Sequence, residues 1–119
     1  VECTGMNATI TPISAADPIL VQANVPWVQT NTNAQQGSVI LGRNTTANII
    51  GNAGVGGYNG LASSNGIGAA TLVAFDLPNT TSATVYRTYV FGSGNATSAF
   101  SCNDGATLPF SSFVQEIMG

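Results

Sequence analysis

The sequence predicts an all-β fold, a single β-sandwich or jelly-roll-like domain of short strands. Three observations carry this expectation. Runs rich in β-branched and aromatic residues recur along the chain, separated by Gly, Pro and Asn. No window of helical length shows convincing 3.6-residue periodicity. The only two cysteines, Cys3 and Cys102, stand near opposite ends, where one disulfide would join the N-terminal strand to a late one.

The elements follow in order. Residues 7–13, Asn-Ala-Thr-Ile-Thr-Pro-Ile, set Thr9 and Thr11 against Ala8 and Ile10, a strand alternation. Residues 18–30 carry Ile19, Leu20, Val21, Val25, Trp27 and Val28, interrupted by Pro26. Residues 37–42 and 46–51 are short apolar runs bounded by glycine. Residues 69–78 and 83–92 are the clearest strands. In the second, Val85, Arg87, Tyr89 and Phe91 share one face, and Tyr86, Thr88 and Val90 share the other. Residues 97–102 form another short strand.

Two stretches resist a simple strand reading. Residues 51–68 hold seven of the 14 glycines, with the tight-turn pairs Asn59-Gly60 and Asn65-Gly66. They are expected to form a Gly/Asn-rich loop or Gly-tipped hairpin within the domain. Residues 111–118 fit either of two elements. Ser112 with Gln115 matches a capping box, and Phe113 with Ile117 would share a helical face. Equally, Phe113, Gln115 and Ile117 would line one side of a strand. About six to eight strands result, enough for two sheets. No internal repeat or domain boundary is legible, so residues 1–119 are expected to form one extracellular β domain.

Composition narrows the function classes. Hydrophobic residues make up 44% of the 119, which allows a packed core. Charged residues make up only 6%, against roughly 25% in an ordinary soluble domain. The chain has neither Lys nor His; its cations are Arg43 and Arg87 and its net charge is −3. Two arginines cannot build the basic patch that phosphate binding needs, so nucleic acid is not an expected partner. No apolar run approaches the length of a membrane-spanning helix. The opening Val-Glu-Cys, without Met, is read as a processed end.

Chemistry is hard to place. Serine has neither His nor Lys to act as its base. A metal site would lack imidazole, and no cofactor fingerprint is present: in the run beginning at Gly54, Asn59 stands where a third glycine is needed. Glu2, Asp17, Asp76, Asp104 and Glu116 are too few to suggest a catalytic carboxylate pair. Trp27, the only indole, reads as a core residue, with sugar stacking as the functional alternative. Asp104 reads as a turn residue. The chain is therefore expected not to be an enzyme, with no catalytic, cofactor or metal residues.

Four Asn-x-Thr triplets begin at Asn7, Asn44, Asn79 and Asn95. Random placement of this chain's Asn and Thr would give about 1.4 such acceptors for N-linked glycans. Each lies at an expected strand end or turn. Together with a Cys3–Cys102 bridge they point outside the cell, to an extracellular or cell- or virion-surface location. The bridge would close a loop near 100 residues, which the chain-entropy argument values at about 4–5 kcal/mol.

Residues 38–43, Ser-Val-Ile-Leu-Gly-Arg, the pair Val85-Tyr86 and the near-terminal cysteines resemble fragments of the fungal host-selective toxins, small secreted β-sandwich proteins. The Arg-Gly-Asp loop of those toxins has no counterpart before Val85, where residues 81–84 read Thr-Ser-Ala-Thr. The resemblance implies no site residue here.

Two functions remain. A nearly uncharged surface suits packing against copies of itself, which predicts a homopolymeric filament, coat or capsid-like subunit bearing N-glycans. Residues 1–22 would be the candidate strand to donate to a neighbour, with Pro12 and Pro18 suited to an edge or a crossing linker. The alternative is a free secreted binding module, such as a lectin or a host-directed effector.

Overall fold

The structure, a computed structural model, describes residues 2–3, 5–30, 36–45, 47–56, 66–93, 100–102 and 111–118. Its eight strands form two antiparallel sheets. They are β1 (Ala8–Ile10), β2 (Ile19–Thr30), β3 (Gln36–Arg43), β4 (Ile49–Gly56), β5 (Gly66–Asp76), β6 (Thr84–Ser93), β7 (Phe100–Cys102) and β8 (Ser111–Glu116). One sheet runs β1-β6-β3-β4. The other is built on β2, with β5 along one side and β8 and then β7 along the other.

Strand alternation makes the core. β2 turns Ile19, Val21, Ala23 and Val25 inward, opposite Asp76, Ala74, Leu72 and Ala70 of β5. From the other sheet come Val39 and Leu41 of β3 and Tyr86 and Val90 of β6, with Cys3 and Met6 beside them. The inward set on β6 is thus Thr84, Tyr86, Thr88 and Val90, the face that alternation assigns to it. Thr88 is fully buried, and its hydroxyl has no hydrogen-bond partner among the described residues.

Pro26 leaves its mark on the sheet. The β2–β5 register shifts between Val25 and Val28, where proline has no N–H for the ladder. A second shift, between Leu41 and Gly42, lets the chain turn tightly after β3. A Cβ on Gly42 would lie 2.6 Å from the carbonyl oxygen of Thr45, so no other residue fits there without backbone movement.

The two ambiguous stretches resolve differently from a loop or a helix. Residues 51–56 belong to β4 and 66–68 to β5, so the glycine-rich loop expected over 51–68 is strand at both ends. β4 holds because its backbone pairs with β3 residue by residue, Gly54 opposite Ser38 and Gly51 opposite Leu41, which needs no side chain. The pairs Asn59-Gly60 and Asn65-Gly66 contain residues outside those described. Ser111–Glu116 is a strand, paired with β2 from Ile19↔Glu116 to Asn24↔Ser111.

Residues 1–22, the candidate for donation, are engaged within their own chain over the described part. The Cys3 N–H donates to the Thr88 carbonyl at 2.8 Å, Glu2 bridges to Tyr89, and β1 pairs with β6 from Ala8↔Tyr86 to Ile10↔Thr84. Ile19 onward is the start of β2.

Candidate functional site

Three places gather the residues that chemistry or recognition would use. The first joins the two sheets. Arg43 ends β3, Asp76 ends β5, and Tyr86 faces inward from β6. The Arg43 Nη1 donates to both oxygens of Asp76 at 3.1 Å and to the Leu77 carbonyl at 3.0 Å. The Tyr86 O–H donates to Asp76 Oδ2 at 2.8 Å. Asp76 is 9% exposed and the Arg43 side chain 26%. An anion this deeply placed needs a cation and full hydrogen bonding, and it has both. Burial, then the hydrogen bond and charge of Asp76, push the Tyr86 phenol well above its ordinary value. The arrangement is a clamp in which Arg43 and Tyr86 together hold the Asp76 carboxylate.

The carboxylates of Glu2 and Glu116 are likewise committed. Glu2 receives Arg87 Nη1 at 2.9 Å and the Asn7 side-chain N–H at 2.8 Å. The Asn7 bond, with Arg87 adding to it and partial burial opposing, holds the Glu2 carboxyl below its ordinary range. Glu116 accepts the backbone N–H groups of Ile13 and Ser14 at 2.9 Å, fastening the 11–18 segment to β8. Among the described residues no three His, Cys, Asp or Glu side chains converge as a metal site would need. Asp104 lies outside the described residues.

The second place is the set of glycan acceptors. Asn7, Asn44 and Asn79 are exposed; Asn95 lies outside the described residues. Two of them also have a backbone reason to be asparagine. Asn44 and Asn79 have φ of 61° and 54°, in the left-handed region that asparagine tolerates better than most residues. Asn44 goes further. Its N–H donates to the Val85 carbonyl at 2.7 Å, and its Oδ1 accepts the Val85 N–H at 2.9 Å. Its side chain thereby completes one more pairing beyond the end of β3. Asn79 Nδ2 donates to the Leu77 carbonyl at 3.2 Å.

The third place is the outer face of the sheet formed by β5, β2 and β8. Leu20, Gln22 and Asn24 point outward from β2. Phe75, Val73 and Thr71 stand beside them on β5, and Gln115, Phe113 and Ser111 on β8. Phe75 is 69% exposed, Val73 59% and Phe113 47%. Leu77 and Ile117 continue the same alternation past the strand ends, and both are exposed. No outward residue on these three strands is charged. Part of this surface was legible: residues 72–75, Leu-Val-Ala-Phe, are apolar in both phases of a strand, the pattern of a strand with two apolar faces.

Cys3 is buried in the core at 1% exposure, and among the described residues no cysteine is free. The backbone of Cys102 pairs with Val28 in β7; its side chain, like that of Trp27, lies outside what is described. No helix among the described residues is long and apolar enough to cross a membrane.

Comparison with known protein families, with curated proteins and with solved structures finds no match to this chain.

Proposed function

We propose that this chain is a secreted, non-enzymatic β-sandwich module that acts by binding, as a free extracellular protein. The observation that carries the reading is the engagement of the N-terminal segment in its own sheet. Cys3 and Met6 are buried, and β1 is paired with β6. A subunit that donates this strand would have to withdraw two buried side chains first. The opposite edge of β6 is already taken by β3.

Extracellular placement rests on the disulfide and the glycans. Cys3 pairs by its backbone with β6, and β7, which carries Cys102, approaches β6. A Cys3–Cys102 bridge would tie the N-terminal segment to the second sheet. The absence of a free cysteine among the described residues supports it. N-glycans at Asn7, Asn44 and Asn79 would meet exposed backbone, with Asn95 as the fourth acceptor. Non-catalytic action is supported by the lack of His and Lys and by the engagement of Glu2, Asp76 and Glu116 in structural bonds.

Three measurements on the native material test the reading. Intact mass before and after reduction and alkylation should show one bridge; two alkylable thiols without reduction refute it. Glycopeptide mass spectrometry should find sugar on at least one of the four acceptors. A hydrolase panel should show no turnover; activity abolished by changing Asp76 or Asp104 sinks the non-enzymatic assignment.

A second reading, the repeating subunit of a filament or coat, is favoured by the uncharged outer face of the β5–β2–β8 sheet. Electron microscopy separates the two: regular polymers favour the subunit, dispersed particles the free module.

A further inference from the structure

We propose that the outer face of the β5–β2–β8 sheet is where two copies of this chain pair back to back. The contact is a closed two-fold one, so it goes beyond the binding role above and does not by itself extend into a filament.

The face has the make-up of an interface core. Phe75, Val73, Leu77, Phe113 and Ile117 are 69, 59, 52, 47 and 36% exposed. With side chains of this size, that is about 500 Å² of apolar surface in one patch, at the upper end of what a monomer carries. Leu20 lies among them, beside Phe75 in the sheet. Adding the flanking amides and hydroxyls brings the burial near the roughly 800 Å² per partner of a standard interface. Sheets also stack readily face to face, through side chains that alternate along their strands as these do.

The chemistry selects a second copy over a charged partner. No outward strand residue on this face has a charge for an oppositely charged surface to answer. Two identical neutral faces meet without desolvating an ion and without repulsion. The polar groups in the patch are self-complementary. Gln22 lies in the middle strand, between Val73 and Phe113, and Gln115 beside Leu20. Each amide offers both donors and an acceptor, so an amide can bond to its own counterpart across a two-fold axis. Among the described charged side chains, Glu2 and Arg87 pair on the first sheet, Arg43 and Asp76 pair between the sheets, and Glu116, at the end of β8, is turned to the N–H groups of Ile13 and Ser14; Asp17 precedes β2.

The test is the mass of the full chain in solution, by sedimentation equilibrium, from about 1 to 500 µM, a range that brackets micromolar pairing. A monomer–dimer equilibrium is expected, with nothing larger. Phe75→Gln should weaken it at least tenfold while leaving the circular dichroism spectrum unchanged. Because Phe75→Gln can also lower solubility or folding yield, a charge pair at Gln22 gives an independent arm. Gln22→Glu alone and Gln22→Lys alone should each weaken pairing at least tenfold. An equimolar mixture of the two should restore it as a heterodimer. A wild-type chain that stays monomeric throughout overturns the proposal. So does a dimer that Phe75→Gln and both Gln22 variants leave intact, or an open series of higher oligomers.

Discussion

Tyr86 donates its phenolic hydrogen to Asp76 across the two sheets, at 2.8 Å, from a position only 1% exposed. The bond unites the end of β5 with the inward face of β6, and Arg43 completes it from β3. Its alkaline behaviour follows from the sign of the shift. In the unfolded chain Tyr86 ionises near its ordinary value of 10.0, whereas in the folded protein burial and the neighbouring carboxylate push ionisation far higher. Stability from this group is therefore whole below about pH 10 and is lost progressively above it. Tyr86→Phe should cost about 2 kcal/mol at neutral pH, the worth of a hydrogen bond to a charged group. It should also flatten the decline in stability above about pH 10. Urea denaturation on either side of that pH checks both, and parallel curves for the two proteins count against the assignment.

The Arg43–Asp76 pair invites a double-mutant cycle. Asp76→Asn or Arg43→Met alone should destabilise by about 3 kcal/mol, because each leaves one partner's polar group uncompensated. The two changes together should cost less than the sum of the single losses, with a coupling of about 1 kcal/mol or more. Additive losses would mean that the two side chains do not support one another.

Much of this clamp was invisible in the sequence. Positions 43, 76 and 86 belong to three strands of two sheets, and no local spacing unites them. What could be read was the local part. Alternation assigned Tyr86, Thr88 and Val90 to one face of β6, and all three are buried, although Tyr89 on the other face is buried as well. Pro26 marked the place where the β2 register shifts. The stretch 111–118 was undecidable because Phe113 and Ile117 satisfy a helical face and a strand face equally. The unclaimed edge of β2, a tertiary fact, decides it. Glycines over 51–56 read as loop because propensity counts side chains, while β4 is held by its backbone ladder to β3.

The buried Thr88 hydroxyl is a stability reserve. Its Oγ1 has no partner among the described residues in a fully enclosed site, and Val has nearly the same shape. Thr88→Val should raise stability by about 1 kcal/mol, the desolvation cost of an unpaired hydroxyl. Thermal unfolding measures it. A loss of similar size would show that the hydroxyl is bonded.

Asn44 separates the structural from the glycan role of an acceptor site. Asn44→Ala removes the Oδ1 that accepts the Val85 N–H and places a residue poorly suited to φ 61°. It should cost about 1–2 kcal/mol whether or not sugar is attached. Asn44→Asp keeps an acceptor oxygen and tolerates the same backbone, yet cannot carry an N-glycan, so it should cost well under half as much in protein made without glycosylation. Equal losses from the two substitutions would remove the proposed backbone role.

The pairing of β2 has a consequence for how the chain is made. Its first half lies against β8, with Ile19 opposite Glu116. When β2 leaves the ribosome, that partner has not yet been translated, and chain synthesis is slow beside strand collapse. Throughout that interval one edge of β2 is bare and its apolar alternation is on offer to any neighbouring chain. Expression should therefore respond to substitutions in Ser111–Glu116 more steeply than the stability of the purified protein does.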